Sequence, residues 1–338
     1  MSHKNYWYIA CAIKELTRNN FIKFELFNEP YLLYKKEDGS LACIIDRCLH
    51  RGFPLSQGLN SKKTFQCGYH GWKYDENGNL INIPSLSSQS KLPRACLRSL
   101  PVIIYQDYVF VNTSEKAEIP KPFSIPQLNT KGWGHIRLKN LFENSVTQCL
   151  ENFLDVPHTA WVHPGIFRKN KSEALRLKSK KTASFVTTSY HGEKNNLGFF
   201  SRFLNPTDQE LIHTDTFFSP NISCVFYSAG PHRKFYITSQ AIPTGDGRTW
   251  VFTDLTYNYG IWNMVLKPII RWHAQKIIKQ DQELLRLLYE NTKFANKTKL
   301  NTEADMPLLW IAGLRSSLEK GIDLKQTKDV EGEVEIRV

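Results

Sequence analysis

No stretch of this 338-residue chain stays apolar long enough to span a bilayer. The longest candidates, Leu100 to Val111 and Ile261 to Trp272, are interrupted by Gln106 and Asp107 or by Lys267 and Arg271. The amino terminus lacks the basic and then apolar regions of a secretory signal and passes from His3 and Lys4 directly to Tyr6, Trp7 and Tyr8. There is no internal repeat and no low-complexity tract. No Gly-x-Gly-x-x-Gly turn joins a strand to a helix, which removes the fingerprint of a bound flavin or nicotinamide. The cysteines, seven in all, are odd in number and irregularly spaced, so they do not form a disulfide framework. These absences lead us to expect a soluble, cytoplasmic chain with reduced thiols and no membrane association.

What is present suits a folded protein. The apolar content of 41% over this length supports two domains with cores of their own. The net charge of +12 fits nucleic acid, an anionic surface or an acidic protein equally well. Its densest part, residues 168–181, holds seven Lys or Arg against one Glu and no aromatic residue on which a base could stack. No nucleic-acid partner is therefore expected. The run reads as a solvated loop, or alternatively as a docking surface for an acidic redox protein.

From Tyr6 to about Asn112 the chain is rich in β-branched and aromatic residues. Asp38-Gly39 and Asp75 to Gly78 mark hairpins between strand-like runs. A proline-containing stretch, Ile119 to Pro126, follows as a linker. Beyond it come a helical segment near Asn144 to Val162, strand-like runs from Ala183 to Tyr257, and a long helical pattern from about Trp262 to Asn291. The fold class expected is α+β, with an all-β domain over residues 1–118 and an antiparallel sheet packed by helices over 119–338.

Two constellations carry chemistry. In the first, Cys48-x-His50-Arg-Gly52 and Cys67-x-x-His70-Gly71-Trp72 lie 16 residues apart, counted between His50 and Cys67. Each arm offers one thiolate and one imidazole. A two-iron, two-sulfide cluster with two cysteines on one iron and two histidines on the other needs that distribution. Gly52, Gly68 and Gly71 allow the backbone to approach the cluster closely. A structural zinc is the alternative, but Cys₂His₂ zinc sites usually place both cysteines before both histidines.

This first motif resembles the Rieske ring-hydroxylating oxygenases, as do the opening Trp7-Tyr8 and the hairpin leading into the first arm. The second constellation extends the resemblance. Asn152-x-x-Asp155-x-x-His158-x₄-His163 is similar to the family signature in which two histidines hold a mononuclear ferrous iron. On a straight helix, residues five apart diverge by roughly 140°, so a shared metal requires a distorted helix, and Pro157 and Pro164 bracket the segment. Asp281 is a third ligand candidate because it falls within the helical stripe of Ile277, Ile278, Leu284, Leu285 and Leu288. A carboxylate on a buried face must be paired or metal-bound. Glu283 and Asp215 are weaker candidates.

The resemblance implies an N-terminal Rieske [2Fe-2S] domain followed by a helix-grip-like catalytic domain. It also implies a head-to-tail homotrimer in which Asp155 bridges to His70 or His50 of the next chain, with Asn152 beside the iron. The implied activity is that of a terminal oxygenase. Such an enzyme takes NAD(P)H-derived electrons from a separate reductase or ferredoxin and uses dioxygen to hydroxylate or demethylate a small aromatic or cyclic substrate. Asn301 to Asp305 with Leu314-Arg315 looks like the group containing vanillate demethylases, dicamba-type monooxygenases and pheophorbide oxygenases, which favours monooxygenation over cis-dihydroxylation. A Rieske electron carrier without oxygenase activity is the reading from another class. It would leave His158, His163 and Asp281 unexplained. Phe199, Phe200, Phe217, Phe218, Phe226, Tyr227 and Trp250 are candidate pocket walls.

Overall fold

The structure, a computed structural model, describes residues 2–18, 21–61, 63–114, 120–164, 174–193, 205, 211–230, 233–292, 294, 300–324 and 327–337. The chain divides into two compact units. One comprises Lys4–Phe123 with Pro243–Asp246; the other holds Met1–His3, Ser124–Ile242 and Gly247–Val338.

The first unit is built almost wholly of antiparallel strands. β1 (Trp7–Ala12), β10 (Val102–Tyr105) and β11 (Tyr108–Asn112) form a three-stranded sheet with β11 in the middle. Every residue of β11 is buried, as expected of a strand covered on both faces. β2 (Phe21–Leu26), β3 (Glu29–Lys35), β4 (Leu41–Ile45) and β9 (Ser99–Leu100) form a second sheet. The short strands β5 (Leu59–Asn60), β6 (Thr64–Gln66), β7 (Lys73–Asp75) and β8 (Leu80–Asn82) form a third. Both hairpins expected from Gly39 and Gly78 are present, joining β3 to β4 and β7 to β8, and each glycine has a positive φ. A short helix, α1 (Ile13–Arg18), follows β1.

The second unit carries an eight-stranded antiparallel sheet. Its strands are β12 (Gly134–Phe142), β13 (Ala174–Lys181), β14 (Phe185–His191), β15 (Leu211–Phe218), β16 (Ile222–Ala229), β17 (Arg233–Pro243), β18 (Thr249–Asn258) and β19 (Val330–Arg337). Their spatial order is β12-β18-β17-β16-β15-β14-β13-β19. Among the described residues four helices accompany the sheet: α2 (Val146–Phe153), α3 (Thr159–Val162), α4 (Asn263–Asn291) and α5 (Met306–Glu319). The α+β class and the order of all-β unit before sheet-plus-helices unit are those expected from the sequence. Helix α5 and the final strand went unforeseen.

The solvated-loop reading of the basic run is corrected over residues 174–181; residues 168–173 lie outside those described. That stretch is β13, whose alternating burial places Leu175, Leu177 and Ser179 inward. Its outward cations meet the acidic strand β19, with Arg176–Glu333 at 3.2 Å and Lys180–Glu331 at 3.1 Å. Exposed pairs of this kind contribute little singly, but they fix which strand lies beside β13 and neutralise part of the run proposed to dock a partner.

Candidate functional site

In the first unit, Cys48 and Cys67 head two loops with the same hydrogen-bond pattern. Cys48 N donates to Phe53 O at 2.9 Å and Gly52 N to Cys48 O at 2.9 Å. In the other loop, Cys67 N donates to Trp72 O at 2.8 Å and Gly71 N to Cys67 O at 3.1 Å. Gly52 and Gly71 occupy the same place in each loop, both with φ above 70°. The left-handed turn there is open to glycine at no steric cost. Gly68 differs: its φ is not positive, and a Cβ on it would press on the Phe53 ring at 3.2 Å.

The loops rest on a core of Leu32, Tyr34, Ile44, Leu55, Phe65, Tyr74 and Leu80, and both thiols are buried in it. His50 and His70 are exposed, with ring centroids 4.6 Å apart. His50 stacks on Trp72 with the planes 1° from parallel. Two buried sulfurs under two exposed imidazoles suit a [2Fe-2S] cluster whose histidine-bound iron faces outward. Tyr74 Oη lies 3.2 Å from Cys48 Sγ and accepts from Leu49 N.

In the second unit the helix carrying the other constellation is broken. Helix α2 starts in a Ser145–Gln148 capping box and stops at Leu154. After the break, α3 is a single turn with His158 just before it and His163 just after. At His163 the backbone leaves helical geometry, φ −119° and ψ 54°. The break brings the imidazoles to 5.3 Å between centroids, which a straight helix would have prevented.

The residue completing the group comes from α4. His163 Nε2 lies 3.0 Å and His158 Nε2 3.6 Å from Asp281 Oδ1. All three ligand atoms fall within 4.8 Å of one another. Burial alone would raise the Asp281 carboxyl, and the two imidazoles more than offset this, holding it below the usual carboxylate range. Among the described residues Asp281 Oδ1 is buried with no hydrogen-bond partner, so a cation among these atoms would satisfy it. Two imidazoles and one carboxylate on one side of a site suit ferrous iron with open positions.

The other residues considered lie as follows. Asp155 Oδ2 is 3.7 Å from His158 Nδ1, too far for a hydrogen bond, and its side chain is partly exposed. Asn152 is buried and lines the adjoining cavity. Glu283 is exposed and paired with Arg286, so it is not a ligand. Asp215 stands on a sheet wall, bonded to His213. Leu288 is exposed, so the apolar stripe of α4 ends earlier than its spacing suggests.

A cavity of about 140 Å³ opens on the His158–His163–Asp281 group. One wall is a face of α4 formed by Ile270, Ala274, Ile277, Ile278 and Asp281, a helical i, i+4, i+7, i+8, i+11 series. The sheet supplies another, including Val225, Tyr227, Phe235, Ile237, Val251 and Leu255. Of the aromatic residues suggested as walls, only Tyr227 lines it among the described residues, and Phe199 and Phe200 lie outside them. Phe217 is fully buried core.

The sequence matches the family described as Rieske [2Fe-2S] domain over residues 6–101. It matches the vanillate O-demethylase oxygenase C-terminal domain over residues 143–316, slightly more than half the chain. The chain belongs to the Rieske oxygenases. Chlorophyllide a oxygenase of Arabidopsis thaliana is 29% identical over 171 residues, 50% of this chain and 31% of that protein. The toluene-4-sulfonate monooxygenase system iron-sulfur subunit TsaM1 of Comamonas testosteroni is 28% identical over 181 residues, 51% of this chain and 50% of that one. This Rieske oxygenase chain thus spans half or less of the length of these relatives. Its fold is shared with dicamba monooxygenase bound to dicamba: TM-score 0.74, 18% identity, covering 95% of this chain and 98% of the other.

The buried pair behind Asp215 on this Rieske oxygenase's cavity wall escaped sequence reading. His213 Nδ1 lies 2.8 Å from Glu193 Oε2 and its Nε2 lies 3.0 Å from Asp215 Oδ1, all three buried. The signal available was the alternation Leu211, His213, Asp215, Phe217, which puts two ionisable groups on the buried side of β15.

Proposed function

We propose that this chain is a terminal oxygenase that hydroxylates or oxidatively demethylates a small aromatic or cyclic substrate. The observation that carries the reading is the convergence of His158, His163 and Asp281 at the edge of a largely apolar cavity. Ferrous iron held there would supply dioxygen activation, and Cys48, His50, Cys67 and His70 would hold a [2Fe-2S] cluster that supplies electrons. His163 is oriented by Gln280, and Asn152 stands on the cavity wall beside the ligands. The apolar walls position a ring against the ligand group and exclude water from it. Monooxygenation is favoured over dihydroxylation by the vanillate O-demethylase type of the C-terminal domain.

The remaining assignments belong to the same proposal. A separate reductase or ferredoxin supplies electrons from NAD(P)H, since the chain has no nicotinamide fingerprint. Asp155, partly exposed, accepts a hydrogen bond from His70 or His50 of a neighbouring chain in a homotrimer. Ile261, Trp262, Met264 and Val265 are exposed together at the start of α4, which supports an assembly larger than one chain. Among the described residues no helix is long and apolar enough to cross a membrane. The free cysteines suit a reducing, cytoplasmic setting.

The test is dioxygen consumption by reduced, iron-loaded protein against aromatic, amine and polycyclic compounds, with His163→Ala alongside. The wild type should contain three irons and two sulfides per chain, and the variant should lose one iron together with oxygenation. Turnover that survives in His163→Ala overturns the assignment.

A further inference from the structure

The sheet wall of the cavity presents its side chains in rows. Tyr190, His213, Tyr227 and Phe235 are register partners across β14, β15, β16 and β17, and Thr188, Asp215, Val225 and Ile237 form the next row on the same face. Asp215, Val225, Tyr227, Phe235 and Ile237 line the cavity. A buried carboxylate therefore stands in a field of aromatic and aliphatic groups, across from nothing in the catalytic assignment that uses it.

Asp215 is held rigidly from behind. His213 lies between Tyr190 and Tyr227, with ring centroids 4.3 and 4.1 Å away and the planes within about 22° of parallel. One imidazole nitrogen faces Glu193 and the other faces Asp215. A carboxylate has about four acceptor sites, so the imidazole donor leaves capacity on the cavity side. The two carboxylates that the His213 imidazole faces hold it toward its cationic form. Asp155 and Asp281 are the other carboxylates on the lining, and no lysine or arginine lines it among the described residues.

We propose that Asp215 is the specificity-determining residue of this cavity, accepting a charge-assisted hydrogen bond from a protonated amine on a substrate about the size of one ring. The inference deepens the oxygenase reading and rests on it for the word substrate. Its physical content is a preference for cations over anions. A carboxylate ligand would be repelled by Asp215, while an ammonium gains both Asp215 and the nearby Tyr227 ring. The cavity volume, close to the ~150 Å³ of an engineered site that admits benzene, sets the size of the ring.

The experiment is calorimetric titration of the purified, iron-loaded protein with benzylammonium, benzyl alcohol and benzoate, without reductant or dioxygen. The expected order is benzylammonium tighter than benzyl alcohol by roughly tenfold or more, with benzoate weakest. Asp215→Asn should bring benzylammonium to the level of benzyl alcohol and leave benzyl alcohol unchanged, a result that a purely structural role for Asp215 would not give. Wild-type protein that binds benzoate as tightly as benzylammonium, or binds no benzylammonium, overturns the proposal even if the variant fails to fold. So does an Asp215→Asn protein that keeps the wild-type ranking. Because no turnover is read, the charge preference can hold in a protein that never oxygenates, and oxygenation can occur without the preference. The two failures are therefore separable.

Discussion

His163 Nδ1 donates to Gln280 Oε1 at 2.9 Å, and the acceptor immediately precedes Asp281 in α4. One turn of helix thus supplies both a candidate oxygen donor for a metal and the group that fixes the tautomer of a candidate nitrogen donor, whose Nε2 lies 3.0 Å from Asp281 Oδ1. Gln280→Ala should weaken ferrous-ion binding by roughly 10- to 100-fold while leaving the [2Fe-2S] content unchanged. Competition with a colorimetric chelator measures this. Equal affinity in variant and wild type would show that the ring is oriented by its packing alone.

The candidate metal donors were legible because each rests on local sequence: two short Cys/His arms, two histidines in one segment, and an acidic residue inside an apolar helical stripe. The break between α2 and α3 could be inferred only as a need for distortion, since periodicity reports where a helix fails but not how. The pairing of β13 with β19 was hidden by distance along the chain and by charge. Leu175 and Leu177 alternate with cations, and their partners Val334 and Ile336 lie more than 150 residues away. His213 and Asp215 were obscured by a related effect: polar residues two apart normally face water, and Glu193, which helps hold the imidazole, is distant in sequence.

Tyr74 bears on the cluster itself. Its hydroxyl lies 3.2 Å from Cys48 Sγ, where it can donate to a thiolate and stabilise the more negative, reduced cluster more than the oxidised one. Tyr74→Phe should lower the reduction potential, by roughly 40–60 mV if the hydrogen bond strengthens by about 1–1.4 kcal/mol on reduction. A redox titration followed by circular dichroism reads the shift. An unchanged potential would assign the hydroxyl wholly to Leu49 N.

Asp155→Asn keeps size and hydrogen-bonding capacity but removes charge. Both metal centres should remain occupied, and turnover should fall on the order of 10²-fold because the charged bridge proposed to a cluster histidine of the neighbouring chain is lost. In a single turnover from pre-reduced cluster, with substrate and dioxygen, the wild type should oxidise the cluster quickly and the variant slowly. Loss of the mononuclear iron in the variant would instead make Asp155 a support for His158.

The buried His213 imidazole behind Asp215 gives the protein a pH dependence whose direction is fixed by its neighbours. Burial alone would lower the His213 pKa, but Asp215 and then Glu193 overcome this and push it up to about 9. The stacked Tyr190 hydroxyl stays neutral because burial drives its pKa well above the ordinary value. In the unfolded chain His213 titrates near 6.5. A group whose folded pKa is raised adds stability that is complete below the unfolded pKa and disappears as pH rises through the folded one. The contribution is about 3 kcal/mol, present below pH ~6.5 and lost toward pH ~9. Urea midpoints of the iron-loaded protein should therefore fall across that window. Glu193→Gln, which removes one of the two carboxylates raising the pKa, should move the fall to lower pH. A wild-type midpoint that stays flat between pH 6.5 and 9.5, or a Glu193→Gln profile shifted upward, would show that the imidazole is neutral in the folded protein.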